Sequence, residues 1–149
     1  MTSKERVLAR ERQRGYEAAK LIQANADTMS GTELNAADDR IPGFKAAAAK
    51  MNMLTRPVGF VCRSSAGRVV RLLQPYDSEI YTREPEELPA QWGFKWSTDP
   101  AKALPFVALS TSPYMTGDCC LNEAGAVKRS KIDNNVWSPE SYPDGWEDA

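Results

Sequence analysis

The chain has 149 residues, of which 42% are hydrophobic and 26% charged, with a formal net charge of -1. That suffices for one ordinary domain, or for a small domain with an extension, and the composition is globular rather than disordered. The balanced charge argues against bulk attraction to nucleic acid, and no run of eighteen apolar residues offers a membrane span.

Histidine is absent. This excludes Ser-His-Asp triads, Cys-His pairs and histidine-containing zinc sites. Cys62, Cys119 and Cys120 have no CxxC spacing and form neither a disulfide framework nor a zinc site, which fits a reducing compartment. No catalytic residue, metal or cofactor is therefore expected. A carboxylate pair such as Asp118 and Asp133 has nothing but residue type to suggest catalysis. The opening "MTSKERVLARERQRG" lacks the apolar segment of a secretory signal, so a soluble, non-exported protein is expected.

Residues 4 to 26 read as a helix rich in Ala, Leu, Lys, Arg, Glu and Gln. Leu8, Gly15, Ala19, Ile22 and Ala26 give it one narrow apolar stripe. Such a helix either packs on a copy of itself or another protein, or stays solvated. Its basic charge makes it the better candidate in this chain for an anionic partner. Ser30 or Thr32 caps a short helix running to Arg40, "IPGF" ends it, and "KAAAAKMNM" is a short Ala-rich piece. From Pro57 the texture turns to Val, Tyr, Trp, Thr, Pro and Gly in short segments, which reads as small β-structure. A boundary falls near residue 55; basic residues outnumber acidic ones before it, and the reverse holds after it.

The β-rich part contains a repeat. In "VGFVCRSSAGRVVR" (58–71) and "TGDCCLNEAGAVKR" (116–129), Gly59, Cys62, Ala66, Gly67, Val69 and Arg71 fall at constant offset on Gly117, Cys120, Ala124, Gly125, Val127 and Arg129. With four residues inserted in the first copy, Pro85, Glu86, Pro89 and Trp92 match Pro139, Glu140, Pro143 and Trp146. Each copy predicts a strand, an Ala-Gly turn, a second strand and a proline-punctuated loop returning to a tryptophan that lids a small core. One sandwich-like unit and two separate beads are both compatible with this.

Between the copies, "QWGFKWSTDP" alternates Trp92, Phe94 and Trp96 on one strand face, the pattern of a buried sheet face. Lys102 is expected on a solvated face, and Arg68 and Arg71 read as ordinary surface. Cys119 and Cys120 point to opposite faces of a strand, so at most one should be buried.

The segment "YMTGDCCLNEAGAVKRSKIDNNVWSPESYPDGWED" resembles the chitin-binding-like carbohydrate-binding modules of families 5 and 12. The features that carry it are Tyr114, Gly117, Asp118, Gly125, Val127 and Ser130, then Trp137, Pro139, Pro143 and Trp146. The exposed tryptophan that this family often carries upstream of the tyrosine is missing from "VALSTSPY". Modules of this kind also occur on bacteriophage virion proteins, and the whole chain looks like a small phage structural protein. The resemblance implies a non-enzymatic virion protein, tail-fibre-associated or capsid-decorating, assembled in the host cytoplasm and forming a homo-oligomer, a trimer by family habit. Its implied partners are other phage structural proteins and a bacterial surface polysaccharide, without nucleic acid or membrane insertion.

A saccharide site needs exposed aromatic faces flanked by hydrogen-bonding amides or carboxylates. Trp137 and Tyr142, with Asp133, Asn134 and Asn135 just before them and Tyr114 upstream, are the glycan-binding candidates. Gly117, Asp118, Gly125, Pro139, Pro143, Trp146 and Trp92 are expected to shape the modules. Trp137 as core remains open, as does a purely architectural protein whose aromatic loop is a subunit interface. The expected organisation is α+β: a helical anchoring or oligomerisation region (1–55), a first β module with the aromatic strand (56–110), and the carbohydrate-binding-like module (111–149).

Overall fold

The computed structural model describes residues 1–149 and has an α+β fold: an N-terminal helical region followed by two small three-stranded antiparallel sheets. Helix α1 (Ser3–Asn25) starts in a capping box, in which Thr2 Oγ1 accepts the Glu5 N–H and the Glu5 carboxylate accepts the Thr2 N–H. None of its residues is buried, and only its last turns reach the body. There Gln23 bonds both the N–H and the carbonyl of Val61.

Helix α2 (Gly31–Ala36) has a second capping box, from Ser30 and Glu33, so the cap is Ser30 rather than Thr32. Thr32 instead bonds Thr98, and buried Asn35 donates to the Lys95 carbonyl. Gly31 is required here, because a Cβ would lie 2.1 Å from the carbonyl oxygen of Trp96. Helix α3 (Phe44–Lys50) is the Ala-rich piece.

The first sheet has the order β1 (Val61–Arg63), β2 (Val69–Leu72), β3 (Trp92–Phe94). Phe44, Ala47 and Met53 from the helical region join Phe60, Cys62, Val70, Leu72, Tyr76, Trp92, Phe94 and Leu109 in the larger core. Ala26, Leu34 and Ile41 cover Val61 and Val69 on the opposite face. The change of texture near residue 55 thus marks a change of secondary structure, while the packing runs across it.

The second sheet repeats the first, with the order β4 (Cys119–Leu121), β5 (Val127–Ser130), β6 (Trp146–Asp148). The repeat seen in sequence is also a repeat of bonding. Cys62 faces Val70 across the first hairpin as Cys120 faces Lys128 across the second. Leu72 pairs with Trp92, and Ser130 with Trp146. Gly59, Gly67, Gly117 and Gly125 all have φ between 80° and 97°, the region open to glycine. Each closing loop is braced by a carboxylate, Glu84 on the Ser65 N–H and Glu140 on the Glu123 N–H. The aligned partner of Glu140 was Glu86; the bracing role belongs to Glu84, two residues earlier.

Trp92 is not a lid but the centre of its core, with no exposed surface. Phe44 and Tyr76 meet its ring edge-on, and its indole N–H donates to the Tyr76 hydroxyl. Phe94 is buried as the alternation predicts, but β3 ends there, and Trp96 lies beyond the strand and is half-buried. Trp96 stacks on Phe94 at 5.6 Å and on Tyr114 at 4.2 Å, which joins the two cores. The sheets are thus two units linked by an aromatic stack, each with its own core.

Three surface expectations are corrected. Both Cys119 and Cys120 are buried, because residues 97–105 run along the edge of β4: the Cys119 N–H donates to the Ser97 carbonyl and its thiol lies against the Thr98 carbonyl, while Cys120 packs with Tyr114 and Trp146. Lys102 is half-buried and paired with Asp38 at 3.1 Å. Arg68 is buried, paired with Glu86 at 3.2 Å and donating to the Pro105 carbonyl.

Candidate functional site

The closing loop of the second copy, residues 131–145, carries the candidate site. It is held by bonds that leave its aromatic side chains outside. Asn135 pairs its backbone with that of Tyr114 in both directions. Its side-chain amide donates to Ser130 Oγ at 3.0 Å and to the Gly145 carbonyl at 3.2 Å, while Asn135 Oδ1 accepts the Trp137 N–H. Ser138 and Ser141 close a local turn, and buried Pro139 removes a backbone donor there. Trp146 is 5% exposed, and its indole N–H donates to the Trp137 carbonyl at 2.9 Å. This last bond fixes the backbone of residue 137 and turns its side chain outward.

Trp137 is 50% exposed and Tyr142 39% exposed. Their rings meet edge to face at 5.7 Å and 76°. The Tyr142 ring lies against Gly145, where a Cβ would sit 2.8 Å from Tyr142 Cδ2. Only glycine lets the ring settle on the backbone there.

These rings, with Ile132, Asp133, Asn134 and Ser141, line an open cleft of about 630 Å³. Asp133 accepts the Thr116 N–H at 3.0 Å through one carboxylate oxygen, and its bonds to the Thr116 backbone and hydroxyl hold its carboxyl below the usual range. Asn134 adopts φ 54°, a left-handed conformation that asparagine tolerates, with its N–H directed to Met115 Sδ. The cleft thus offers two aromatic faces, a carboxylate, an amide and a hydroxyl.

Four of the six glycan candidates, Trp137, Tyr142, Asp133 and Asn134, come together in this cleft. The other two are corrected. Tyr114 is 1% exposed, stacked between Trp96 and Phe106, and burial raises its phenol pKa. Asn135 is fully buried and spends its amide on the loop. Neither reaches a ligand. Sequence reasoning missed Ile132 and Ser141; only their nearness to Trp137 could have pointed to them.

The expected shaping residues do shape the loop. Gly117 and Gly125 provide the two positive-φ turns, Pro143 opens the 3-10 turn Pro143–Gly145, and Trp146 fills the core with Tyr114 and Cys120. Asp118 accepts the Met115 N–H at 2.8 Å; burial, with the nearby Asp133 charge, still raises its pKa. Asp118 and Asp133 therefore each brace the 115–118 turn. No cluster of His, Cys, Asp and Glu in the structure could hold a metal ion.

No family model, curated protein or solved structure matches the chain.

Proposed function

We propose that the chain is a non-enzymatic bacteriophage virion protein whose C-terminal β module binds a glycan of the host surface in the Trp137–Tyr142 cleft. The observation that carries the glycan reading is the exposure of these two rings in one cleft beside the carboxylate of Asp133 and the amide of Asn134. Sugar C–H faces stack on such rings, and the polar groups take the hydroxyls. The virion setting rests on the resemblance of residues 114–148 to carbohydrate-binding modules. In this reading the helical region attaches the module to the particle or to further copies, up to the trimer that the resemblance suggests.

The angle between the rings narrows the ligand. Two rings at 76° form a notch, whereas the flat surface of an insoluble polymer needs coplanar rings. The favoured ligand is a single sugar ring, a chain end or a branch. One such contact is weak, and several copies on a particle multiply it. The test is a soluble-glycan array alongside a pull-down on insoluble polysaccharide, using the intact chain and Trp137→Ala. Soluble oligosaccharides should be retained, with loss of binding in a variant that stays folded.

The same perpendicular geometry favours one rival, in which the notch receives a side chain of a neighbouring virion subunit. Absence of binding to any glycan, together with co-purification of the chain with particles through Trp137, would establish that rival.

A further inference from the structure

At the other end of the molecule lies a cleft of about 700 Å³ between the C-terminal half of α1, residues 39–42, α3 and β1. Its rim carries Lys20, Arg40, Lys50, Arg56 and Arg63, against one carboxylate, Asp39. The four ion pairs of the structure use none of these five cations. Arg56 and Arg63 are held from behind: Arg56 Nη2 donates to the Ala47 carbonyl and its guanidinium lies over the Phe60 ring, while Arg63 Nε donates to the Ile41 carbonyl. Arg56 Nε is buried with no acceptor.

The first turns of α1 extend this surface. Lys4, Arg6, Arg10, Arg12 and Arg14 are all exposed and equally without ion pairs. The acids beside them are Glu5, Glu11 and Glu17, so α1 carries six basic residues against three acidic ones. Tyr16, 58% exposed, stands where the helix enters the cleft, with Lys20 Nζ 5.3 Å from its ring centre. The chain as a whole is near neutral, so this concentration of unpaired cations is a local field and not a bulk property.

We propose that this helix and cleft bind single-stranded nucleic acid through its phosphodiester backbone. Cations spread around an exposed helix and lining the groove beside it, with an exposed ring at the mouth, combine the charge and the stacking surface that a flexible single strand needs. The volume is of the size of a nucleotide or two. A second copy of α1 is the wrong occupant, because the helix carries the same excess of positive charge as the cleft. The inference is independent of the glycan reading, since it uses none of residues 114–149.

The test is fluorescence anisotropy of a labelled 20-nucleotide single strand with the full chain at two salt concentrations. If about five phosphates are engaged, affinity falls about 100-fold between 50 and 200 mM salt. Arg12→Glu/Arg14→Glu and Arg40→Glu/Lys50→Glu should each weaken binding at least about tenfold and flatten the salt slope, while Arg83→Glu leaves it unchanged. All of these side chains are exposed cations, and circular dichroism checks the fold. No binding at 50 mM salt, equal binding of duplex, tighter binding of polyphosphate or polyglutamate, or indifference to both charge reversals would each overturn the proposal.

Discussion

The two copies of the repeat have the same strand order, hairpin register and glycine turns, yet they put their closing loops to opposite uses. In the first copy the loop is drawn inward. Trp92 is sealed by Phe44 and Tyr76, and its indole bonds the Tyr76 hydroxyl inside an eleven-residue core. In the second, the equivalent Trp146 bonds a backbone carbonyl, and its core has three buried residues. The loop positions that carry Arg83 and Leu88 in the first copy carry Trp137 and Tyr142 in the second. Leu88 packs on the core of its copy, whereas Tyr142 faces the cleft. The difference shows how one scaffold can hold its loop through main-chain and polar side-chain bonds while two of the loop's aromatic side chains stay exposed.

The largest effects should come from the two buried tryptophans. Trp92→Ala should cost about 3–5 kcal/mol in urea unfolding, and Trp146→Ala a value at or below the lower end of that range, because its core is smaller. Equal costs would mean that the helices add nothing to the first copy. Gly31→Ala tests the helical support of the first copy directly. Its Cβ would collide with the Trp96 carbonyl, and a loss of about 1–3 kcal/mol is expected by thermal unfolding.

In the second copy, Asn135→Ala removes the amide that braces the loop and should cost about 1–3 kcal/mol, with glycan binding reduced through disorder of the cleft. Trp137→Ala should stay within about 1 kcal/mol of the wild type in stability while abolishing glycan binding. That pairing is the signature of a side chain held outside the core.

The smallest effects concern pH. Asp133 has a lowered pKa, so its contribution is present above the unfolded value near 3.8 and is lost as pH falls through the folded value. Asp118 has a raised pKa, so its ionised form destabilises the fold, and that penalty disappears as pH falls through the folded value toward 3.8. Asp133→Asn should therefore lower the melting temperature at pH 7, and Asp118→Asn should raise it or leave it unchanged. Both differences should vanish in acid, as followed by thermal melts from pH 7 to pH 2.

Much of this was legible in the sequence. The 58-position spacing of the glycines and cysteines exposed the repeat because positive-φ turns admit few residues, and Ser30 was one of the two caps the sequence offered for the second helix. Trp137 and Tyr142 stood out as aromatics in a loop. What could not be read was cover. Alternation along a strand allowed one of Cys119 and Cys120 to be buried, whereas both are; Lys102 and Arg68 read as surface because their partners, Asp38 for one and Glu86 with the Pro105 carbonyl for the other, lie far along the chain. Tyr114 and Asn135 carried ligand-like chemistry and proved to be internal, because a small core satisfies itself with the same polar and aromatic groups that a sugar would use. The basic cleft was equally hidden, since its five cations come from four separate segments.

The most direct test of the central claim is a two-dimensional NMR titration of the four tryptophan indole N–H groups with soluble N-acetylglucosamine oligomers and hexose oligomers. Three of these groups are engaged internally: Trp92 to Tyr76, Trp96 to the Ser112 carbonyl and Trp146 to the Trp137 carbonyl. The account predicts that the Trp137 signal alone shifts and saturates with one of these sugars. A panel that moves none of the four signals, or that moves Trp92 and Trp96 as much as Trp137, would contradict it.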